Sequence, residues 1–488
     1  MTTLILLSML APVAASLCCL GLGWRRLSSI VTLASACVIL GCGVALGLTV
    51  GDRAYLGCSG LLRADALSAT MLIVIGVVGS LATWASIGYV DAELARGHTD
   101  ARGARLYGTL TPLFLAAMAL AVSANNIGVV WIAVEATTVV TAFLVGHHRS
   151  RAALEATWKY VMVCSVGITI AFLGTVLLHF AARHAGAGSE DALHLDVLIA
   201  HAAALDPAVT RLAGALLLIG YGAKMGLAPF HTWLADAHSQ APAPVSALMS
   251  GVLLSVAFSV LIRIKPIIDI AVGTEFLRTA LLGVGLTTLF IAALLLTVTG
   301  DLKRMLAYSS METMGLMAVA AAAGTHLAIA ALLLHILAHG VGKTVLFLAG
   351  GQLQAAHGST AIGEITAVLG RSRLVGGAFA AGMIVLLGLP PFAMFASELA
   401  IALSLADARL TWALGLALVA LLVAFAALVR NSGRILLGAP NAGAPAIRVP
   451  MTVGAALITG VAVSIALGVT AGPLADLFAT AASQLGAR

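Results

Sequence analysis

The residues of this sequence that could carry chemistry are ionisable side chains embedded in long apolar stretches. Placing such a group near the middle of a membrane costs roughly 2.5–3.5 kcal/mol on insertion scales, so each one requires a reason. The positions concerned are Glu135, Lys224, His335, His339, Lys343 and Glu398. Side chains of these types exchange protons, which makes proton transfer the first chemistry to consider.

His335, His339 and Lys343 recur every four residues, a spacing that places all three on one face of a helix. Successive members lie about 6 Å apart along the axis, so the stripe is about 12 Å long. Such a stripe can pass protons; the alternative is a set of polar contacts that bridge neighbouring helices. Glu135 and Lys224 also allow two interpretations, a buried ion pair that fixes packing or a pair whose rearrangement changes proton affinity.

The surrounding sequence is that of a multi-pass membrane protein. Of 488 residues, 61% are hydrophobic and 9% are charged, whereas soluble domains carry about 25% charged residues. At about 20 apolar residues per crossing plus a loop, the chain has room for about fourteen transmembrane helices. This composition excludes a peripheral enzyme and a nucleic-acid-binding protein. The net charge of +6 is attributed to basic loops.

The seventh and twelfth apolar stretches, 210–228 and 374–402, are interrupted by glycine and proline. Such breaks are tolerated where the freed backbone faces protein or a water-filled cavity. Breaks five helices apart predict two five-helix repeats, and an odd number of helices makes the repeats inverted. The predicted fold is therefore an all-α polytopic membrane protein. Its parts are a three-helix segment (1–105), two five-helix repeats (106–265 and 277–435) and a C-terminal helix (445–488).

Orientation is predicted from the distribution of lysine and arginine among the loops. One side of the membrane holds the first loop and every second loop after it, and this side carries more lysine and arginine residues than the other side. Arg488 is counted with the other side. Cytoplasmic loops carry this excess in membrane proteins. We therefore expect a multi-pass protein of the plasma or inner membrane with both termini outside.

No pattern for a cofactor or metal stands out. The six cysteines form no CxxC pair and are interpreted as buried thiols. Gly342–Lys343–Thr344 resembles the end of a phosphate-binding loop, but Leu337 stands where the first glycine of that loop belongs. The histidines His147, His148, His231 and His238 lack acidic or cysteine partners and are interpreted as solvated residues at loop ends. We expect no cofactor, metal or catalytic residue, with any redox chemistry in other subunits.

Three motifs make the sequence similar to a known family. They are KMGLAPFHTWLADAH from Lys224 to His238, DLKRMLAYSS from Asp301 to Ser310, and the His335–His339–Lys343 stripe. Together they resemble the antiporter-like, proton-translocating membrane subunits of respiratory complex I, Mrp-type antiporters and membrane-bound hydrogenases. The run PPFAMFASE from Pro390 to Glu398 looks most like the F component of hydrogenase-4 and formate hydrogenlyase. We expect no long lateral helix after the fourteenth stretch.

The resemblance implies roles for individual residues. Glu135 and Lys224 match the family's glutamate–lysine pair, and His335, His339 and Lys343 match its central relay. Glu398 matches the terminal proton site. Asp236 and His238 lie where the family keeps a polar connection. The implied mechanism is charge coupling, in which a change at the pair drives proton transfer along the relay.

The central part of the path departs from the family pattern. Ser255 stands where many relatives have a lysine after Gly-Val-Leu-Leu. Arg263 and Lys265 follow about two turns later. Either they substitute for that lysine, or they are loop-end residues whose charged groups extend to the membrane surface. Glu312 occupies a place where hydrogenase-type members carry an acidic group.

The resemblance therefore implies a proton-conducting subunit of a hydrogenase-4-like or formate hydrogenlyase-like oxidoreductase complex. Its expected partners are other membrane subunits, peripheral hydrogenase-like and iron–sulfur subunits, and the lipid bilayer. One alternative is an Mrp-like cation/proton antiporter subunit. The other is the membrane subunit of an inorganic-carbon uptake complex.

Overall fold

The computed structural model describes residues 1–439, 445–470 and 472–487, and this part of the chain is almost entirely helical. Two residues on which predictions rest lie outside the described residues. They are residue 471, within the predicted fourteenth apolar stretch, and Arg488, which is counted among the basic residues of the outer side. The segment 440–444, between the second predicted repeat and the predicted C-terminal helix, also lies outside them.

The N-terminal segment has three long helices and a small hairpin. The helices are α1 (Thr2–Leu22), α2 (Arg26–Thr49) and α3 (Ala66–Ala95), and the strands are β1 (Tyr55–Gly57) and β2 (Leu62–Ala64). The strands pair antiparallel with Tyr55 opposite Ala64. The hairpin was not predicted, because strands this short leave no alternating pattern in the sequence. It ends at Asp65, whose side chain caps α3 by accepting a hydrogen bond from the Ser68 amide at 2.7 Å.

The first predicted repeat, of five crossings, contains the first predicted break. It comprises eight helices, because two crossings consist of two helices each and one further helix is short. Its helices are α4 (Ala101–Ser123), α5 (Ile127–Val145), α6 (Arg151–His184), α7 (Leu195–His201), α8 (Pro207–Met225), α9 (Thr232–Gln240), α10 (Ala243–Leu248) and α11 (Leu254–Val272). The seventh crossing is the pair α8–α9, interrupted after Gly226, which adopts a left-handed conformation (φ 74°). The eighth crossing is α10 and α11, joined through a π-helical turn at Met249–Leu253.

The second predicted repeat contains the second break. Its helices are α12 (Thr274–Val298), α13 (Leu302–Ala323), α14 (His326–His357), α15 (Val368–Arg371), α16 (Arg373–Leu386), α17 (Ala393–Asp407) and α18 (Thr411–Leu436). The twelfth crossing is the pair α16–α17, interrupted at Gly388 (φ 59°). Both predicted helix breaks are confirmed.

The C-terminal part adds two helices, α19 (Met451–Thr470) and α20 (Gly472–Gln484). A single helix is predicted here from the sequence. The second helix, α20, was not predicted because it is too short and too polar to resemble a crossing. The Gln484 side chain accepts a hydrogen bond from the Ala66 amide at 2.9 Å and donates one to the Gly51 carbonyl at 2.8 Å. Thus α20 closes against the start of α3. The residue boundaries of the four predicted parts remain a prediction.

Among the described residues, 11 helices are long and apolar enough to cross a membrane. The helices α8 and α13 are also long, but charged residues such as Lys224 and Glu312 lower their mean hydropathy, and the α16–α17 crossing is split. Counted with these three crossings, the fold agrees with the predicted polytopic architecture. Apolar side chains exposed on α1, α2, α6, α18 and α19 form a surface suited to lipid.

The interior is built around α3, α10–α11 and α14, which are the most completely buried crossings. The π-helical turn and α14 approach closely where two glycines face each other. A Cβ added to Gly340 would lie 2.8 Å from the Gly251 carbonyl oxygen, and one added to Gly251 would lie 2.9 Å from that of Gly340. Small residues at such crossings let helix backbones approach closely in membranes. This contact lies next to His339, in the middle of the predicted relay.

Candidate functional site

Glu135 and Lys224 lie close together but are linked through a hydroxyl group. The ammonium of Lys224 donates a hydrogen bond to Thr138 Oγ1 at 2.9 Å, and the Thr138 hydroxyl donates to the Glu135 carboxylate at 3.2 Å. Ser165 donates to the other carboxylate oxygen at 2.9 Å. The directly contacting ion pair considered from the sequence is therefore replaced by a bridge through one threonine.

The helix break determines the surroundings of Lys224. Because α8 ends at Met225, Lys224 lies in its last turn, where the helix dipole favours a positive charge. The side chain is completely buried. Its ammonium also donates to the Tyr160 hydroxyl at 2.7 Å. These contacts compensate part of the cost of burying the charge.

The stripe on α14 forms as its spacing predicts. His335, His339 and Lys343 are all buried on one unbroken helix. The Lys343 ammonium donates to the Leu306 carbonyl at 2.9 Å and to the Ser309 hydroxyl, both on α13. His335 shares a hydrogen bond of 2.9 Å with Ser397 on α17. The stripe therefore connects α13 to the second half of the broken twelfth crossing.

Glu398 lies beside Ser397, at the outer end of this stripe. Its carboxylate packs directly against Gly388 in the helix break, where any side chain at position 388 would collide with it. It also lines a cavity of about 260 Å³ whose other walls are apolar residues, mostly of α17 and α18. Glu312 on α13 lies close enough to interact electrostatically with both Glu398 and Lys343. The structure thus brings Glu312 into the same cluster as the relay.

His238 lies between the two halves. It is completely buried, its ring stacks with those of Trp233 and Phe347, and neither ring nitrogen has a hydrogen-bond partner within the described residues. Lys303 and Lys343 are its charged neighbours. The interpretation of His238 as a solvated loop-end residue is therefore wrong, because α9 continues inward past the break. Ser255 is also buried in this region.

Asp236 lies at the margin of the site. Its carboxylate pairs with Lys159 on α6 at 3.0 Å and with Arg304 on α13 at 2.6 Å. Both cations are about half exposed. Asp236 therefore ties the first repeat to the second, and it is separate from the buried groups of the relay.

Arg263 and Lys265 do not join the relay. Arg263 is buried, and its guanidinium forms two hydrogen bonds with the Asp65 carboxylate, one of them at 2.8 Å, and another of 2.7 Å with Ser68. Arg263 therefore has a structural role. It does not replace the central lysine, and its charged group does not extend to the membrane surface. Lys265 pairs with Asp269 one turn further along α11.

The buried ion pair between Asp65 and Arg263 changes the pKa of Asp65. Burial alone would raise the pKa of Asp65, but the charges of Arg263 and Arg63 hold that pKa well below its usual range. The carboxylate therefore stays ionised throughout the physiological range. Asp65 was not identified from the sequence, although an Asp directly before a long apolar helix is a recognisable capping signal.

Comparisons with known proteins agree with this architecture. Residues 124–425 match the transmembrane family described as NADH:quinone oxidoreductase/Mrp antiporter. A hydrogenase-4 component F homolog of Methylacidiphilum infernorum (isolate V4) is 33% identical over 384 residues, covering 79% of this chain and 80% of that protein.

Two solved structures have the same fold along nearly the whole chain. A chain of the archaeal membrane-bound sulfane sulfur reductase superposes with a TM-score of 0.87 at 22% identity, covering 99% of this chain and 97% of that one. A chain of the Mrp complex from Dietzia sp. DQ12-45-1b superposes with a TM-score of 0.86 at 22% identity. The superposition covers 99% of this chain and 98% of that one. The first neighbour is named as an archaeal respiratory membrane complex and the second as an Mrp complex.

Proposed function

Because this chain belongs to the transmembrane family of NADH:quinone oxidoreductases and Mrp antiporters, we propose that it conducts protons in a hydrogenase-type membrane complex. In this proposal the complex resembles hydrogenase-4 or formate hydrogenlyase, and its redox chemistry takes place in peripheral hydrogenase-like and iron–sulfur subunits. The relative from Methylacidiphilum infernorum, which is named as a hydrogenase-4 component F homolog, supports this assignment. The complex would lie in the inner membrane, in contact with other membrane subunits.

The observation that carries the proposal is a pair of polar clusters of buried and half-buried residues, one in each repeat, each next to a helix break. The first contains Glu135, Thr138 and Lys224. The second contains Lys343, the two histidines of α14, Glu312 and Glu398. Buried ionisable groups in a membrane mark ion or proton pathways, and broken helices of inverted repeats are where transporters place them.

The geometry supports transfer by charge coupling. Weakening the link between Glu135 and Lys224 through Thr138 would remove a stabilising negative charge from Lys224 and promote loss of its proton. The charge change would act on His238 and Lys343 through a low-dielectric interior, where electrostatic effects are large. Release from Lys343 then proceeds through His339 and His335 to Glu398, the last ionisable group before the apolar cavity.

The experiment that tests the assignment is affinity purification of the tagged chain from native membranes in mild detergent, followed by mass spectrometry. We expect a large metal-binding subunit and small iron–sulfur proteins to co-purify. Recovery with small membrane proteins alone would favour the Mrp-like alternative and overturn the hydrogenase assignment. A zinc-enzyme-like partner would favour the inorganic-carbon uptake complex.

A further inference from the structure

A third cluster of ionisable groups lies near the C-terminal end of α3. Glu93, in the last turns of α3, lines a cavity of about 290 Å³ formed with the end of α14 and the segment before α19. The cavity is on the side of the molecule that carries most of the basic loops. It is large enough for several water molecules.

The Glu93 carboxylate lies close to two histidines whose side chains are more exposed to solvent than its own. Its two oxygens lie 3.4 Å from His98 Nδ1 and 3.7 Å from His148 Nδ1. The exposed fractions are 59% for His98, 30% for His148 and 7% for Glu93. Burial lowers the pKa of His148 to about 4, with Glu93 opposing this shift. His148 is therefore neutral near pH 7.

Other charged and titratable groups approach Glu93 from each element packed around it. They are Tyr89 and Arg96 of α3, His147 beside His148, Lys303 of α13 and Arg448 before α19. Lys303 is buried in the first turn of α13, and its ammonium donates to the Ala241 carbonyl at 2.6 Å. That carbonyl ends α9, the helix that carries His238.

Lys303 is the charged neighbour that Glu93 and the relay share. It interacts electrostatically with Glu93 and also with His238. His238 in turn is a neighbour of Lys343. A series of neighbouring ionisable groups therefore links His98 and His148 to Glu93, Lys303, His238 and Lys343.

We propose that Glu93 is the proton-loading group of this chain, taking protons from water in its cavity and supplying them through Lys303 and His238 to Lys343. The inference rests on the proposed proton-conducting function. In the transfer step Lys303 gives a proton to the neutral His238 ring, and protonated Glu93 returns one to Lys303. The carboxylate regains its negative charge and binds the next proton from water, so one proton enters in each cycle.

The test compares variants of the native complex in inverted membrane vesicles, with proton transport followed by a pH-sensitive dye. We expect Glu93→Gln to lose proton transport. The matched control is Glu155→Gln, because Glu155 is an exposed glutamate paired with Lys159 on the same side of the molecule. This control should transport at the wild-type rate.

A third variant, Lys343→Ala, separates the two proposals. Loss of transport in both Lys343→Ala and Glu93→Gln supports the proposed uptake site. Loss in Lys343→Ala with normal transport in Glu93→Gln overturns the role of Glu93 and leaves the proton-conducting function intact. Normal transport in Lys343→Ala overturns the proposed proton path and the uptake site with it.

A measurement on the wild-type complex keeps the inference testable if Glu93→Gln does not assemble. A water-soluble carbodiimide should modify Glu93 in inverted vesicles and inhibit transport, because water reaches the carboxylate from that face. Peptide mass spectrometry identifies the modified residue. Absence of modification at Glu93 in inverted vesicles, or modification without inhibition, would overturn the proposal.

Discussion

At the residue scale, the connection between Glu135 and Lys224 depends on one hydroxyl group. Thr138 both accepts a hydrogen bond from the ammonium and donates one to the carboxylate. A hydroxyl can do both because it has one donor hydrogen and two acceptor lone pairs. The two charges therefore communicate without a direct contact.

Thr138→Val tests this bridge with little change in side-chain shape. Losing a buried hydrogen bond to a charged group costs about 1.5–3 kcal/mol, so we expect proton transport to fall about tenfold or more. The matched control is Thr137→Val, since among the described residues the Thr137 hydroxyl bonds only to the Val134 carbonyl of its own helix. Equal transport in the two variants, both assembled, would contradict a role for the bridge.

Glu135→Gln tests the charge itself. The amide can still accept a hydrogen bond from Thr138 or Ser165, so we expect the complex to assemble and coupled proton transport to be lost. Transport in vesicles and the yield of purified complex are the two measurements. A variant that fails to assemble would support the interpretation of Glu135 and Lys224 as a packing contact.

The two lysines predicted for the central path are expected to differ in importance. Lys343 is buried and donates a hydrogen bond to α13. Lys265 instead pairs with Asp269, and both line a cavity beside the C-terminal half of α11. Lys343→Ala should therefore reduce proton transport far more than Lys265→Ala does, as measured in vesicles at matched protein content. The reverse order would place the central path along α11.

The sequence revealed the charged members of the site because ionisable residues are conspicuous in apolar helices. It did not reveal Thr138, Tyr160 or Ser309, because threonine, tyrosine and serine are common in transmembrane helices and carry no charge. It also left the position of Arg263 open. Only the structure shows that Asp65, far away in sequence, is the partner of Arg263.

At the element scale, the crossing of α14 with the π-helical turn depends on Gly251 and Gly340. Gly340→Ala would place a methyl group 2.8 Å from the Gly251 carbonyl oxygen, and overpacking of this kind costs about 1–3 kcal/mol. We expect a lower Tm in detergent and impaired proton transport. Gly350→Ala on the same helix meets its nearest atom at 3.6 Å and should leave Tm nearly unchanged. A similar Tm for both variants would contradict the close approach.

The helix breaks were predictable and the π-helical turn was not. Glycine and proline mark both breaks in the sequence. The segment Met249–Leu253 contains only one glycine and reads as ordinary helix. Its extra residue per turn is accommodated through packing against α14, which a local pattern does not record.

At the scale of the whole molecule, the Asp65–Arg263 pair fastens the N-terminal segment to the first repeat. Removing one partner of a buried ion pair costs about 3–5 kcal/mol, so Asp65→Asn should markedly lower Tm. Because the folded-state pKa of Asp65 is depressed, its stabilising effect is full above the ordinary pKa of 3.8 and is lost as the pH falls toward the folded value. The Tm difference between wild type and variant should therefore be constant from about pH 5 to 8 and shrink in stronger acid. A difference that shrinks near neutral pH would contradict this origin.

The predicted orientation can be checked with a native cysteine. The interpretation of all six cysteines as buried thiols is wrong for Cys37 and Cys58, which are exposed. Cys58 lies in the hairpin between α2 and α3, on the side opposite the basic loops. A membrane-impermeant maleimide should label it in right-side-out vesicles and leave it unlabelled in inverted ones, with Cys58→Ser as the control. Labelling restricted to inverted vesicles would reverse the assignment of the termini to the outside.

The hydroxyl bridge at Thr138 also bears on which ion the chain can carry. A proton moves by exchange between neighbouring donors and acceptors, so a single hydroxyl between a carboxylate and an ammonium is enough for it. A hard metal cation instead requires several oxygen ligands to replace its hydration shell. The α14 stripe presents two imidazoles and an ammonium, which are poor replacements for water around such a cation. Selectivity for protons over sodium is thus expected from the types of side chain along the path, without a size-selective filter.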